Sequence, residues 1–242
     1  MDKKQYYEIA INKIKSYIKG KLKKNKKKKS GLSFNQDTLE FEYSQKWYDQ
    51  SYHLGRIETD KKNFFEINDM YEMAGYRERF EKVFSKISVP TYPIDWLEVG
   101  CHLGLTSYWI KSKYPNVNLF MFDFSEESII WCKREFPFRK ESIIWQKSVD
   151  DIKLDDMNLT NQFDFITCID VTEHLPDHIY QKMLTELYRV CKQDGKLVVM
   201  QGNTPNIEHI HVLDEEQLVT DFQNTGFKLK ERLPSRHYLF QK

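Results

Sequence analysis

The chain has 242 residues, 40% of them hydrophobic and 14% aromatic, enough for one sizeable core plus an appendage or small second lobe. Its 37 basic and 36 acidic residues leave a formal net charge of +1, which argues against bulk attraction to nucleic acid or to a membrane. Cys101, Cys132, Cys168 and Cys191 form no C-x-x-C pair, and no apolar run approaches the roughly 20 residues needed to span a bilayer. A disulfide framework, a zinc knuckle and a transmembrane helix are all disfavoured, and a cytoplasmic protein with reduced thiols is expected.

The charge is unevenly placed. Between Lys21 and Lys29, the stretch KLKKNKKKK holds seven lysines in nine residues, and Tyr7, Ile11, Ile14 and Ile18 recur before it at helical spacing. Residues 1–30 therefore read as a basic amphipathic arm. Three roles fit it: peripheral contact with an anionic membrane, an RNA-binding arm, or a merely solvated stretch. The preference for lysine over arginine, 29 to 8, argues against bidentate phosphate recognition, so nucleic acid is the less expected partner.

Residues 31–93 read as an N-terminal helical and lid segment. FEYSQKWYDQSYHLG is aromatic-rich without a clear period, whereas YRERFEKVFSKI sets Phe80, Val83, Phe84 and Ile87 on one side of a helix. SVPTYP then breaks the pattern around Pro90 and Pro93, and a second unit spans 94–242. In it, apolar runs at 95–99, 118–122, 142–146, 163–169 and 196–201 alternate with helical patterns at 106–113, 126–136, 178–191 and 214–225. That alternation is the mark of β-α-β units and a parallel sheet. GFKLKERLPSRHYLFQK closes the chain with two strand-like runs so close together around Pro234 and Ser235 that they must be antiparallel. The expected fold is α/β: a Rossmann-like, seven-stranded, mostly parallel sheet with helices on both faces, a C-terminal antiparallel hairpin and an N-terminal helical extension.

In such a sheet, ligands bind beyond the carboxyl ends of the strands. The first strand runs into LEVGCHLG, where Gly100 and Gly104 permit a sharp turn and a close ligand approach, although an ordinary tight β-α turn would look the same. Asp123, about 20 residues on at the end of the second strand, is placed to accept both hydroxyls of a ribose. Glu98, just before the turn, suits a cationic or amino-bearing ligand better than a pyrophosphate, and the loop lacks the G-x-G-x-x-G of dinucleotide folds.

These residues, with FDFITCIDVTEHLPD at 163–177 and the later LYRVCKQDGKLVVMQGNTP, resemble the motifs of class I S-adenosylmethionine-dependent methyltransferases. The resemblance covers about residues 95–242. It implies that Glu98 and Gly100 line the methionine part of S-adenosyl-L-methionine, that Asp123 holds the ribose, and that Phe124 lies beside the adenine. It also implies that Ser148 or Val149 reaches the adenine edge, and that Cys101, His102, Gly104, Ser125, Asp170 and Val171 complete the cofactor site, with S-adenosyl-L-homocysteine as product. Two positions depart from the family pattern: His102 stands where glycine is frequent, and Ser148 where an acid is frequent. A donor without phosphate does not need a loop stripped of side chains, so His102 is compatible with it.

Methyl transfer from a sulfonium requires alignment, and a weakly acidic hydroxyl acceptor also needs a base or a Lewis acid. The segment DVTEH offers both. His174 is the expected base, with Asp170 and His209 as further catalytic candidates, because imidazole accepts protons at neutral pH. Alternatively Asp170, Glu173 and His174, joined by His209 or His211, supply donors for a divalent metal. That arrangement resembles the E-x-x-E-H site of small-RNA 2′-O-methyltransferases and quinone-biosynthesis O-methyltransferases, with aspartate in place of the first glutamate. A metal-free histidine base is the preferred reading. The expected activity is O-methylation of a small molecule, best a sugar of a nucleotide-activated or surface-polysaccharide precursor, under a lid at 41–55. The alternatives are a metal-dependent RNA or quinone O-methyltransferase, and a non-catalytic methyltransferase-like subunit. Nothing in the sequence points to an oligomeric state.

Overall fold

A computed structural model describes residues 32–35, 40–43, 76–152, 159–202, 209 and 211–242. The basic arm, including the lysine tract, and the aromatic lid beyond Tyr43 lie outside the described residues. Within 31–93, where a helical segment is expected, the described backbone contains a ribbon of two antiparallel strands, β1 (Leu32–Asn35) and β2 (Glu40–Tyr43), followed by helix α1 (Tyr76–Phe84). Apolar residues alternate along both strands, and Leu32 pairs with Tyr43 and Phe34 with Phe41, a period of two over runs too short to announce themselves.

The second unit is a seven-stranded sheet. Its strands are β3 (Ile94–Val99), β4 (Val117–Asp123), β5 (Ser142–Gln146), β6 (Phe163–Ile169), β7 (Cys191–Met200), β8 (Lys228–Leu233) and β9 (His237–Gln241). They lie in the order β5-β4-β3-β6-β7-β9-β8. The pairings β5-β4, β4-β3, β3-β6 and β6-β7 are parallel, and β9 alone runs against its neighbours β7 and β8. The chain winds outward from β3 in one direction, then returns to β6 on the other side. The switch point therefore falls between β3 and β6, where a crevice opens at the carboxyl rim.

Alternation along the buried strands divides the core in two. Leu97, Val99, Phe120, Phe122, Ile166, Cys168, Leu197 and Val199 face α4 (Asp177–Val190) and α5 (Glu215–Asn224), meeting Met183, Leu187 and Phe222. Trp96, Leu119, Met121, Phe165 and Val198 face the other layer, formed by α1, α2 (Leu105–Lys113) and α3 (Glu126–Glu135). Phe80, Val83 and Phe84 bury the expected stripe of α1 there, with Trp109 of α2 5.0 Å from the Phe84 ring. Among the described residues, no helix is long and apolar enough to cross a membrane.

One buried cation fastens α2 to the sheet. Lys111, 8% exposed, donates from Nζ to the carbonyls of Pro115 and Val117, each at 2.9 Å, closing the turn into β4. Lys111→Met keeps the aliphatic stem but leaves both carbonyls without that donor. The expected loss is about 1–3 kcal/mol, measured as a lower urea midpoint with an unchanged slope.

Candidate active site

The loop after β3 enters the left-handed region three times, at Gly100 (φ 67°), His102 (φ 47°) and Gly104 (φ 80°). The two glycines are required by their neighbours as well as by the turn. A Cβ on Gly100 would stand 2.5 Å from Val171 Cγ2, and one on Gly104 2.9 Å from Phe136 Cδ2. Asp123 holds this loop. Its Oδ2 accepts the amide of His102 at 2.9 Å, its Oδ1 accepts the amide of Ser125 at 2.9 Å, and the Cys101 amide bonds to the Phe122 carbonyl. Cys101 is buried, and the His102 carbonyl receives the Cys132 thiol at 3.2 Å.

Ser125 caps α3 by accepting the Ser128 amide, which starts the helix directly behind Asp123. Phe124 is half-buried, and its carbonyl accepts from Gln146 at 3.2 Å. Beyond β5, Ser148 is exposed and donates to the Asp150 carboxylate, whereas Val149 is packed in the core. The adenine-edge candidates are thus one exposed hydroxyl and one buried aliphatic.

Glu98 lies beneath the loop, 4% exposed, and accepts the hydroxyl of Ser107 from α2. Burial pushes its pKa up to about 8 from the ordinary 4.5, against hydrogen bonds from Ser107 and Thr106 that favour the ionised form. The sequence picks out Glu98 but not Ser107, nine residues away, because a single serine in a helical pattern carries no signal.

On the other side of the switch point, β6 is followed directly by Asp170, a non-glycine residue at φ 56°. Its amide bonds to the Met200 carbonyl at 3.0 Å, and its Oδ2 accepts Arg79 Nη2 of α1 at 3.1 Å. Val171 is buried against Gly100 and starts a 3-10 turn over Thr172–His174. Glu173 is fully buried. Its Oε1 accepts the Gly202 amide at 2.7 Å and its carbonyl accepts the His211 amide at 3.0 Å, while Oε2 is buried with no hydrogen bond. Burial, then the Asp170 charge, raise its pKa to about 8. A Cβ on Gly202 would stand 2.5 Å from that Oε1 and 3.1 Å from His209 Cε1, so any other residue here would displace one of these side-chain ends.

His174 and His209 meet edge to face with ring centroids 4.9 Å apart. Glu173, His174 and His209 each offer a ligand atom, and these atoms lie within 4.8 Å of one another. Asp170 and His211, also expected as metal ligands, stand outside this group among the described residues. Asp170 is paired with Arg79, and His211 is buried with Nε2 3.0 Å from Asp177 and its ring 4.7 Å from that of Tyr180. The residues that hold this corner from further off, Arg79, Gln201 and Gly202, carry no motif of their own; Gln201 donates to the His211 carbonyl at 3.1 Å.

The raised pKa of Glu98 has a signed consequence. A carboxyl that keeps its proton in the folded state up to about 8, but releases it near 4.5 when unfolded, makes the native state bind more protons between those values. Stability therefore falls as pH rises from 5 to 8, and the Glu98→Gln variant should lose less over that range than wild type, read from urea unfolding at both pH values.

Residues 97–197 match the family model described as "Methyltransferase domain". No curated protein matches the sequence significantly. Solved structures share the fold at low identity. A SAM-dependent methyltransferase from Aquifex aeolicus is 18% identical, with TM-score 0.52, over 67% of this chain and 90% of its own. The PH0226 protein from Pyrococcus horikoshii is 17% identical, with TM-score 0.54, over 69% of this chain and 89% of its own. Phosphoethanolamine N-methyltransferase 2 of Haemonchus contortus, solved with S-adenosyl-L-methionine, is 15% identical, with TM-score 0.52, over 62% of this chain and 36% of its own. The match over β3 to β7 marks residues 97–197 as a methyltransferase domain, set on a sheet whose order and fold are shared with solved S-adenosyl-L-methionine-dependent methyltransferases.

Proposed function

We propose that the protein transfers the methyl group of S-adenosyl-L-methionine to a hydroxyl of a small molecule, with a sugar of a nucleotide-activated or surface-polysaccharide precursor as acceptor. The observation that carries this reading is the juxtaposition of two features across the switch point. One is a loop held to a ribose-type acid, Asp123. The other is the imidazole pair His174 and His209 at the end of the neighbouring strand. Val171 packs on Gly100 and joins the two, so a sulfonium lying along the loop directs its methyl toward DVTEH.

In this reading Asp123 binds the ribose, Phe124 covers the adenine, Ser148 or the Val149 backbone reaches the adenine edge, and Glu98 supports the methionine end through the loop. Gly100, Cys101, His102, Gly104, Ser125, Asp170 and Val171 shape the remaining wall. His174 removes the acceptor proton as the carbon–oxygen bond forms, and His209 packs against it to fix the ring. General-base catalysis of this kind is worth about 10²–10⁴-fold.

The Glu173–His174–His209 group supports a second reading. Two imidazoles and one carboxylate are a suitable donor set for a divalent transition metal, and the buried Glu173 Oε2 lacks a hydrogen bond that an ion would replace. A bound ion would supply a Lewis acid for the acceptor hydroxyl. Glu173 would orient the two histidines and, through Oε1, keep Gly202 at the end of β7. The four cysteines are free and buried, which agrees with work in a reducing cytoplasm. The lysine tract would hold the protein at an anionic membrane surface.

Calorimetric titration with S-adenosyl-L-homocysteine should give one site per chain, weakened at least tenfold in Asp123→Ala; no detectable heat with wild type would end the cofactor reading. With labelled S-adenosyl-L-methionine and a panel of nucleotide sugars, His174→Ala should lower turnover by about 10²–10⁴-fold while homocysteine-product affinity stays within a few-fold. Activity that survives EDTA excludes the metal reading. Activity lost on chelation and restored by Mn²⁺ or Zn²⁺, and not restored in Glu173→Gln, replaces the histidine base with it.

A further inference from the structure

The pair Arg79–Asp170 links residues 91 positions apart, from a helix that precedes the sheet to the strand end that faces the glycine loop. Both side chains keep water contact, at 21% and 41% exposure, and exposed pairs of this kind contribute little to stability. Its position gives it another role. Asp170 sits at φ 56°, a left-handed conformation that costs most non-glycine residues about 1–2 kcal/mol and an aspartate less than that. The next residue, Val171, reaches Gly100 so closely that no Cβ would fit between them. If Asp170 relaxed to negative φ, Val171 would swing away from Gly100 and the wall between β3 and β6 would open.

The surroundings fix Arg79 as the holder. It stands in α1, which buries Phe80, Val83 and Phe84 beneath it, so its own backbone is anchored. Behind it, the turn Pro234–Arg236 packs on α1 and carries His237, whose Nδ1 lies 3.0 Å and 2.9 Å from the carbonyls of Pro234 and Ser235. Two carbonyl partners require the proton on Nδ1. Burial, then the Arg79 charge, lower the His237 pKa to about 4, so this ring stays neutral and adds no competing cation beside the Asp170 carboxylate.

We propose that Arg79 is a positioning residue for the methyl donor: by gripping the Asp170 carboxylate it holds the strained strand end that presses Val171 onto Gly100. This inference rests on the cofactor-site reading above. It assigns to α1, which lies before the residues matched by the methyltransferase model, a part in forming the donor pocket.

The test uses the full chain and S-adenosyl-L-homocysteine as the probe, with thermal unfolding followed in parallel. Arg79→Ala should weaken binding on the order of five- to tenfold, because the competent conformation becomes a minor one, while the melting temperature shifts by only about 2–4 °C or less. Arg79→Lys, which keeps a cation for a single carboxylate contact, should restore affinity to within threefold. The decisive arm is the background. In Asp170→Gly, where positive φ carries no penalty and the carboxylate is gone, Arg79→Ala should have no further effect; Asp170→Asn, which keeps the backbone preference but removes the charge that Arg79 grips, serves the same purpose if the glycine variant misfolds. Unchanged affinity in Arg79→Ala overturns the proposal. So does a loss that persists undiminished in either Asp170 background, since Arg79 would then act on the donor directly. Absence of binding to the wild-type protein would instead remove the cofactor-site reading itself.

Discussion

The arrangement of the site depends on one carboxylate. Asp123 ends the strand next to β3, and from there it accepts the amides of His102 and Ser125, one from the glycine loop and one from the start of α3. Charge-assisted bonds to two amides are stronger than neutral ones, and they tie the β3 loop to the β4 end so that neither can move alone. The left-handed turns at Gly100, His102 and Gly104 follow from this tether, because the chain must reverse within five residues to bring the His102 amide back to β4. A loop built this way presents its main chain at the carboxyl rim beside that carboxylate.

The two buried acids divide the rim into unlike halves. Glu98 is kept under the loop by Ser107, and Glu173 is kept under the β6 end by Gly202; burial raises both pKa values to about 8. Glu98 lies within a hydrogen-bonded pair in the α2 layer, whereas Glu173 has an oxygen left over and two imidazoles beside it. The first arrangement suits a structural support for a cationic donor. The second suits proton or metal chemistry on an acceptor. The proposed methyl transfer would use both halves, with the positive sulfur over one and the nucleophile over the other.

Much of the fold was legible because the strands are buried on both faces and read as plain apolar runs: β5 and β6 match their expected limits, β3 begins one residue earlier, and β4 extends one residue further at each end. β7 was harder. It starts at Cys191 rather than near Lys196, since a register shift opposite Phe163 and Phe165 and a left-handed Asp194 let the chain pair before its apolar run begins. The ribbon β1-β2 was missed because four-residue strands leave only two alternations each. In the site, Asp123 and Glu98 stand out because acids at the ends of apolar strands have no reason to be there without a partner. Arg79, Ser107 and Gly202 do not stand out, since their partners are brought to them by the fold. His211 illustrates the converse. Two residues from His209 in a suggestive EHIH string, it turns to Asp177 instead, because its main chain is held by Glu173 on one side and Gln201 on the other.

The most direct test of this account is a crystal structure of the protein with S-adenosyl-L-homocysteine. The expected result has both ribose hydroxyls on the Asp123 carboxylate, the His102 and Ser125 amides still bonded to it, and the sulfur within reach of the Asp170–His174 turn. A ligand bound away from the β3-β6 crevice, or an Asp123 that releases both amides and faces solvent in the complex, would contradict it.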